Sequence, residues 1–318
     1  MPLVSLEEIS ELLACPRCGT PVAASPGGYH CTAEGCALST GDGFPLVAGR
    51  PALVDWERSI LQRERVVASG GRSAVERSKP GGTSATLQGF LFDTTAVSRR
   101  NAARYLDLLA ERGEAPRVLV VGGATQGLGA GQLYADPRVR VLAFDIYGSP
   151  LTQFIADAHQ IPLSDGSVDG VWIQAVLEHV LDPWRVAEEI HRVVKPQGLL
   201  YAETPFLQQV HEGPYDFTRF TESGHRWLFR RFEGIDSGVV LGPGTHLSWT
   251  VDHTVRALTR SSLLGKLARA ALFGARFLDR LAPEPIAVDA ASHCFFLGRK
   301  TGRELQPKEM LRHYKGAQ

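Results

Sequence analysis

The feature that most restricts the fold of this chain is an apolar run that ends in a glycine-rich loop. Residues 118–121 read Val-Leu-Val-Val, and residues 122–129 follow as Gly-Gly-Ala-Thr-Gln-Gly-Leu-Gly. A short β-rich run, then glycines, then a helix is typical of the first strand–turn–helix of a doubly wound sheet. Glycines let the backbone turn sharply and approach a ligand that a Cβ would keep away. The pattern predicts an α/β fold with a ligand crevice at the carboxyl ends of its strands.

A carboxylate at the end of the next apolar run indicates the class of ligand. Residues 139–144 form this run, and Asp145 follows it. A carboxylate placed roughly 20 residues after the glycine loop can accept hydrogen bonds from ribose hydroxyls. Loop and carboxylate together predict a nucleotide or nucleoside ligand, although glycine-rich turns also occur without one. A nicotinamide-dependent short-chain dehydrogenase would fit the loop too, but none of the seven tyrosines begins the Tyr-x-x-x-Lys pair that such enzymes normally carry.

Three later segments narrow the choice of ligand. They are residues 157–171, the stretch Leu177-Glu178-His179-Val180, and residues 193–200. These segments closely resemble the S-adenosylmethionine-dependent class I methyltransferases, in the branch with the quinone-biosynthesis enzymes. The resemblance covers about residues 98 to 300. It implies a doubly wound, Rossmann-like sheet of seven strands and an enzyme that transfers a methyl group from S-adenosylmethionine.

The resemblance also implies a set of cofactor-binding residues, which follow the ends of successive strands: Gly122, Gly123, Ala124, Gly127, Asp145, Asp157, Ala158 and Gln174. The glycines and the alanine of the loop would lie under the methionine part of the cofactor. Asp145 would hold the ribose, and Asp157 with Ala158 would contact the adenine. Gln174, at the end of the fourth strand, would face the sulfonium region.

One position departs from the family pattern. Family members usually carry an acidic residue two positions before the first loop glycine, and this chain has Val120 there. In the family that carboxylate helps to bind the amino group of the cofactor, directly or through water. We therefore expect a cofactor that is held more weakly or anchored differently, with lost activity as the alternative.

Cysteine usage provides a second strong signal. Four of the five cysteines fall within the first 36 residues, as the pair Cys15-x-x-Cys18 followed by Cys31 and Cys36. A tight Cys-x-x-Cys turn points two thiolates at one ion, and the four residues between the second pair are within the usual spacing. The pattern predicts a structural Zn²⁺ site with these four ligands. Disulfides are the alternative, which a reducing compartment disfavours.

The surroundings of the cysteines extend this prediction to a module. Residues 12–18 and 44–54 resemble the zinc domain shared by the tRNA-methyltransferase activator proteins and fused to some rRNA guanine methyltransferases. The match covers about the first 55 residues. It implies a small zinc-ribbon-like module over residues 1–55, in which zinc supplies roughly 10–16 kcal/mol of apparent binding energy and a minimal core suffices.

Length and composition set the remaining organisation. At 318 residues the chain exceeds one average domain. We predict a linker with short helical pieces over residues 56–97, a methyltransferase domain over 98–301 with a helical insertion at about 243–285, and a C-terminal tail over 302–318. The formal net charge is zero, so no basic excess calls for nucleic acid. No apolar run could span a membrane and no secretory signal is present, so a cytoplasmic location is expected.

Candidate catalytic residues lie after the fifth strand of the methyltransferase pattern. Methyl transfer from a sulfonium requires mainly alignment, and a base is needed only when the acceptor is a hydroxyl or a protonated amine. Related methyltransferases show a similar His-x-x-Pro-x-Asp-x-x-Arg-Phe-Thr stretch, which begins here at His211. We predict His211 as base or substrate ligand, oriented by Asp216, and His179 as a further contact to substrate or cofactor. A structural role in pinning the loop is the alternative for each of them.

Residues 262–281 suggest a surface property. At about 100° per residue, Lys266, Arg269, Arg276 and Arg280 fall on one helix face, and leucines occupy another. A basic amphipathic helix can lie on anionic lipid. The alternative is a lid helix that packs on its own domain.

Taken together, the sequence predicts an S-adenosylmethionine-dependent methyltransferase that acts on a small or lipid-linked acceptor. RNA methylation is an alternative because of the zinc module, although the sequence lacks an aromatic–basic binding strip. A second alternative is a non-catalytic partner protein, in which Val120 marks lost cofactor binding. The identity of the acceptor and the oligomeric state do not follow from the sequence.

Overall fold

A computed structural model describes residues 3–40, 43–73 and 96–318 of the chain. The strands, in chain order, are β1 Val22–Ser25, β2 Gly28–Cys31, β3 Phe44–Val47, β4 Arg50–Pro51, β5 Arg117–Val121, β6 Arg140–Asp145, β7 Phe154–Ile155, β8 Val168–Gln174, β9 Val194–Pro205, β10 Phe232–Leu241 and β11 His293–Lys300.

The α-helices of the described residues are α1 Arg63–Ala68, α2 Ala96–Ala110, α3 Pro183–Val193, α4 Glu222–Leu228, α5 Pro243–Thr259, α6 Ser262–Ala271, α7 Leu278–Leu281, α8 Glu284–Asp289 and α9 Pro307–His313. Short 3₁₀ turns cover Glu7–Leu12, Ala130–Gln132, Ala158–Gln160, Leu177–His179, Gly213–Tyr215 and Phe273–Phe277. Among these helices none combines the length and the apolar character that crossing a bilayer requires.

Seven strands form the main sheet, in the order β10-β11-β9-β8-β5-β6-β7. The strands from β5 to β9 pair in parallel, and β11 runs antiparallel between β9 and β10. The strand order reverses between β5 and β8, and open α/β sheets form their ligand crevice at such a point. The predicted doubly wound sheet of seven strands is therefore confirmed.

The central strands are buried on both faces because helices cover the sheet on each side. Leu119 and Leu142 belong to the core cluster that contains helix α3, whereas Val118 and Trp172 face the cluster around helix α2. Strands buried in this way read as continuous apolar runs in the sequence. The pattern that predicted β5 and β6 is thus a direct consequence of their central place.

The N-terminal segment packs directly on the far edge of this sheet. Its strands β1 to β4 form a small antiparallel sheet, and isolated bridges join Leu3 to Val141 and Ala52 to Ile155. The amide of Leu53 donates to the carbonyl of Ile155 at 2.8 Å. Because an uncovered edge strand exposes unpaired N–H and C=O groups, the N-terminal segment protects the β7 edge.

Three segments outside the sheet surround this core. Of the predicted linker, residues 56–73 are described and contain α1, whereas residues 74–95 lie outside the described residues. Helices α5 to α8 lie between β10 and β11, in the stretch predicted as a helical insertion. In the predicted C-terminal tail, α9 docks near α4, and the Nζ of Lys315 donates to the carbonyl of Ser237 at 2.8 Å.

Candidate functional site

A cavity of about 870 Å³ opens at the carboxyl ends of β5, β6, β7 and β8. Volumes of this size accommodate a ligand of drug size or larger. The cavity is lined by most of the site residues that the sequence predicts: Gly122, Gly127, Asp145, Asp157, Ala158, Gln174, His179 and His211. Gly123, Ala124 and Asp216 do not line the cavity and contact the residues that do.

The glycine loop sits too close to its neighbours to carry side chains at two positions. Gly122 has a φ of 74°, and a Cβ there would lie 2.3 Å from a methyl group of Val176. A Cβ on Gly127 would lie 2.0 Å from Oε1 of Gln174. Because these glycines have no side chains, the backbone of the loop can lie close to Val176 and Gln174 at the cavity.

Asp145 ends β6 and is held in place by backbone amides. Its Oδ2 accepts from the amide of Ala124 at 3.1 Å, and its Oδ1 accepts from the amide of Ile146 at 2.7 Å. The amide of Gly123 donates to the carbonyl of Phe144 at 2.9 Å, which ties the loop to the same strand. The carboxylate is thereby fixed where it lines the cavity.

Asp157 follows β7, the strand next to β6, and caps the turn Ala158–Gln160. Its Oδ1 accepts from the amide of His159 at 2.9 Å, and its Oδ2 accepts from the hydroxyl of Ser59 at 2.5 Å. Burial raises the pKa of Asp157, but the hydrogen bonds from His159 and Ser59 outweigh burial and the net pKa is lowered. Asp157 therefore keeps its negative charge over a wide pH range.

The segment predicted as a linker contributes one wall of the cavity. Ile60, Leu61, Arg65 and Val66 line the cavity, and Ser59 bonds to Asp157. The composition of this stretch predicts a linker with short helical pieces, and the hydrogen bond from Ser59 to Asp157 joins residues 98 positions apart. No local pattern could have revealed it.

Glu203 is a buried carboxylate in the cavity that the sequence analysis did not identify as a site residue. It ends the core of β9 opposite Gln174, whose Nε2 donates to Oε2 of Glu203 at 2.7 Å. The hydroxyl of Tyr201 donates to Oε1. Burial raises the pKa of Glu203, and the hydrogen bonds from Tyr201, Ser98 and Gln174 oppose this rise. A polar residue directly after the apolar run 199–202 was the available sequence signal.

Val120 and Glu203 lie on the same face of the sheet. Val120 of β5 pairs with Trp172 of β8, which pairs with Tyr201 of β9. Glu203 follows Tyr201 by two residues, so its side chain points to the same face of the sheet, nearer the carboxyl edge. Both residues line the cavity. The Nε2 of Gln174 also donates to the carbonyl of Leu128 at 2.9 Å, which links Glu203 to the glycine loop.

At the other end of the cavity two histidines face a buried carboxylate. The Nε2 atoms of His211 and His179 lie 3.6 and 3.7 Å from Oε1 of Glu178, whose side chain is 1% exposed. Neither oxygen of Glu178 has a hydrogen-bond partner among the described residues. The Nδ1 of His179 lies 2.7 Å from the carbonyl of Tyr215, and because a carbonyl can only accept, this nitrogen is the donor.

The predicted partners of His211 are in contact with it. Asp216 accepts from the amide of His211 at 2.8 Å, and its Oδ2 lies 3.4 Å from Nδ1 of the imidazole. Two guanidinium nitrogens of Arg219 donate to the carboxylate of Asp216. The Glu178 carboxylate raises the pKa of His211 while burial of the imidazole opposes the rise. Burial raises the pKa of Asp216, but Arg219 outweighs burial and the net pKa is lowered.

The four N-terminal cysteines converge as the sequence predicted. Their sulfur atoms lie within 4.8 Å of one another, with 3.9 Å between Cys15 and Cys36 and 3.4 Å between Cys18 and Cys31. Four thiolates about 2.3 Å from one Zn²⁺ stand roughly 3.8 Å apart at the corners of a tetrahedron. A disulfide requires about 2.05 Å. The donor set and its spacing therefore fit zinc, and all four cysteines are free thiols.

Residues 119–202 match a family model described as a methyltransferase domain. A malonyl-(acyl-carrier protein) O-methyltransferase of Laribacter hongkongensis is 33% identical over 139 residues, 36% of this chain and 46% of that protein. A demethylmenaquinone methyltransferase of Clavibacter sepedonicus is 31% identical over 127 residues, 39% of this chain and 50% of that protein. The chain thus spans about half the length of these relatives.

Among solved structures, the chain resembles a 1,6-didemethyltoxoflavin-N1-methyltransferase of Burkholderia thailandensis with bound S-adenosylhomocysteine. The TM-score is 0.37 at 16% identity, over 72% of this chain and 93% of that one. The matched family segment runs from β5 to β9 and includes the strand ends that border the crevice. Residues 119–202 are thus similar to a methyltransferase domain, and they lie in a sheet whose strand order is that of a Rossmann-like fold.

Proposed function

We propose that this chain transfers a methyl group from S-adenosylmethionine to a small or lipid-linked acceptor. The observation that carries the proposal is the convergence of four strand ends, each with a polar or glycine-rich segment, on one cavity. The methyltransferase family match over residues 119–202 supports the same reaction class. When bound, S-adenosylmethionine supplies an electrophilic methyl group on a positively charged sulfur.

The crevice has the features that a charged sulfur nucleoside requires. The backbone at Gly122 and Gly127 leaves a cradle that a Cβ would fill. The fixed carboxylate of Asp145 offers an acceptor for ribose hydroxyls, and Asp157 with Ala158 borders the place for the adenine. Gln174, which donates to the loop carbonyl of Leu128, would face the sulfonium region.

Glu203 would provide the anchor that Val120 cannot. A buried carboxylate is costly unless a positive charge or hydrogen bonds compensate it. Tyr201, Ser98 and Gln174 donate to Glu203, and no ion pair is found for it in the described part of the chain. The ammonium group of the cofactor would complete its environment and favour its ionised form.

His211 would act as the base that removes a proton from the molecule to be methylated. It lines the cavity, and Asp216 and Glu178 hold its imidazole between them. A base positioned in this way assists attack by a hydroxyl or by an amine that must first lose a proton. His179 borders the same end of the cavity, where it would contact the acceptor.

Titration calorimetry with S-adenosylmethionine and S-adenosylhomocysteine tests the cofactor. We expect both to bind the full-length protein, and we expect Asp145→Asn to weaken both because the ribose contact loses its charge. Absence of heat with either nucleoside, or preferential binding of a nicotinamide dinucleotide, would refute the proposal.

A second experiment tests the acceptor. S-adenosylmethionine with a tritiated methyl group is incubated with the protein and a bacterial extract, which is then divided into organic, aqueous and RNA fractions. We expect label in the organic or small-molecule fraction. The demethylmenaquinone methyltransferase among the relatives supports this expectation. Label confined to RNA would show the acceptor assignment to be wrong.

The cysteine cluster would hold one structural zinc ion. Cys15, Cys18, Cys31 and Cys36 offer four sulfur donors and leave no open position, as in structural sites. The cluster does not line the cavity. Its proposed role is therefore to hold the N-terminal module together, with no part in the reaction.

A further inference from the structure

Helix α6 turns its leucines away from the protein. Leu263, Leu264 and Leu267 are 65%, 45% and 56% exposed. At 100° per residue these three side chains lie within about one third of the helix circumference. Amphipathic helices of globular proteins normally face the core with this stripe. The lid alternative expects this leucine stripe to pack on its own domain, and in α6 it does not.

The helix packs on α5 through its opposite face, which contains a glycine. Gly265 is the buried residue of α6, and a Cβ on it would lie 2.4 Å from Oδ1 of Asp252. Arg256 and Arg269 approach the same Asp252 carboxylate, at 2.5 and 3.6 Å. The inner face of α6 thus makes close backbone packing and an ion-pair cluster, and no leucine is needed there.

Exposed leucines also occur in the elements that neighbour α6 in the chain. The segment that the sequence predicted as one long helix breaks after Ala271 into the 3₁₀ turn 273–277 and α7. Leu278 and Leu281 are 47% and 76% exposed, and Leu258 at the end of α5 is 81% exposed. We call these exposed side chains the leucine surface: Leu258, Leu263, Leu264, Leu267, Leu278 and Leu281. Large contiguous apolar patches on a protein surface mark interaction sites.

Exposed basic side chains occur in the same segment as the leucine surface, and most of its acidic side chains are bound to other groups of the protein. Arg260, Lys266 and Arg280 are exposed, and no ion pair involves them within the described residues. Asp252 is buried on the arginines, and Asp279 accepts from Gly244 and Thr245 at the start of α5. Glu284 is exposed and adds one opposing charge.

We propose that the leucine surface docks on an anionic lipid bilayer. Leucines with neighbouring exposed cations are the arrangement by which interfacial helices insert between headgroups and contact phosphate. The cations argue against a second copy of this surface, because two copies facing each other would bring like charges together. The inference concerns a surface outside the cavity and does not depend on methyl transfer.

Docking in this way would place the crevice close to the membrane. Val240 and Leu241, at the end of β10, line the cavity, and α5 begins at Pro243. His293 at the start of β11 lines the same end. A lipid-linked acceptor could then reach the cavity from the bilayer without crossing water.

Vesicle flotation with the full-length protein tests the proposal. At low salt we expect the protein to float with vesicles of phosphatidylcholine and phosphatidylglycerol, and to stay unbound with pure phosphatidylcholine. Each exposed cation contributes roughly a fivefold gain in partition near an anionic surface. The double variant Leu263→Glu/Leu267→Glu removes apolar burial and should lower the bound fraction about tenfold or more.

The matched control is Leu46→Glu, which changes a half-exposed leucine of β3 at the opposite edge of the sheet. It should float like the wild type. Since Leu263 and Leu267 do not pack on their own domain, the double variant should keep its thermal stability. The proposal is overturned if the wild type does not float at low salt, or if the double variant floats as well as the wild type. A dimer that the double variant converts to a monomer, without vesicle binding, would assign the surface to a second copy.

Discussion

Two buried glutamates of the crevice differ in what surrounds their carboxylates. Glu203 receives hydrogen bonds from Gln174 and Tyr201. Within the described residues, the carboxylate of Glu178 accepts no hydrogen bond and lies beside the imidazoles of His179 and His211. A carboxylate with neutral donors can still attract a cation, and a carboxylate beside an imidazole changes the basicity of that imidazole. The two residues therefore lead to different predictions, one for binding and one for pH dependence.

Replacing Glu203 should weaken the binding of the cofactor and leave the binding of a truncated analogue unchanged. A hydrogen bond to a charged group contributes about 1.5–3 kcal/mol, so Glu203→Gln should raise the Kd of S-adenosylhomocysteine about tenfold to a hundredfold. Methylthioadenosine lacks the amino-acid part and should bind as it does to the wild type. Titration calorimetry measures both. Because Val120 lines the same cavity, adding Val120→Asp to the variant should recover part of the affinity.

Equal binding of S-adenosylhomocysteine by wild type and Glu203→Gln would refute the role of Glu203 and leave the cofactor assignment intact. Failure of the wild type to bind either nucleoside would instead refute the cofactor assignment. The two failures are therefore distinguishable in one set of titrations.

Replacing Glu178 should move the acid limb of the pH profile. The Glu178 carboxylate raises the pKa of His211, with Asp216 adding to the rise and burial and Arg219 opposing it. A base must be neutral, so kcat/KM should increase as the pH rises through this pKa. Glu178→Gln removes the charge, lowers the pKa of His211 and should shift the limb to lower pH. The exposed Glu188 of α3 offers the control Glu188→Gln, and an unmoved limb in Glu178→Gln would exclude His211 as the base.

Among the elements, α5 and α6 show how a small residue can determine which face of a helix is packed. Gly265 allows the backbone of α6 to approach Asp252, and this close approach leaves the leucines outside. Hydrophobic periodicity finds the stripe of leucines and cannot tell whether that stripe is packed. The outward orientation of the leucine stripe follows from the tertiary contact between Gly265 and Asp252.

A methyl group at Gly265 should force the two helices apart. Gly265→Ala places a Cβ within 2.6 Å of Arg256 Cγ and closer to Asp252, and overpacking of this kind costs about 1–3 kcal/mol. The control is Gly274→Ala, because a Cβ there meets nothing within 4 Å. Thermal unfolding should show a lower Tm for the first variant alone. Equal Tm values for both variants would contradict the close packing.

The main sheet was predictable because its signals are local. Apolar runs, glycines and a following aspartate stand next to each other in the sequence, and they gave β5, β6 and the confirmed doubly wound fold. The environment of Glu203 depends on the register of β9 beside β8, and the hydrogen bond of Ser59 to Asp157 joins residues 98 positions apart. Pairings of this range have no local signature. The single long helix predicted over residues 262–281 failed for the same reason, since the turn 273–277 packs against α5.

For the whole molecule, the N-terminal module and the main sheet share one core. Ile9, Leu13 and Phe44 belong to the same buried cluster as Phe144 and Phe154. At the end of the module, Asp55 is buried and binds Arg17 at 2.5 Å, and four residues later Ser59 donates to Asp157. The module is therefore joined to the cavity as well as to the sheet edge.

This coupling makes the cysteine cluster a determinant of global stability. We expect wild-type protein to contain about one zinc ion per chain and Cys15→Ser/Cys18→Ser to contain none. Because metal binding contributes to folding and the module covers β7, the double variant should unfold in one transition at a lower Tm. It should also bind S-adenosylhomocysteine more weakly, since the segment after Asp55 lines the cavity.

The control for zinc is Cys294→Ser, the same substitution at the buried cysteine of β11, which should keep the metal whatever its effect on Tm. Calorimetric unfolding with zinc analysis by mass spectrometry provides the measurement. A separate low-temperature transition in the double variant would show that the module unfolds by itself. In that case the shared core would not couple the zinc ligands to the crevice, and the segment from Ser59 to Ser73 would keep its place through contacts with the main domain alone.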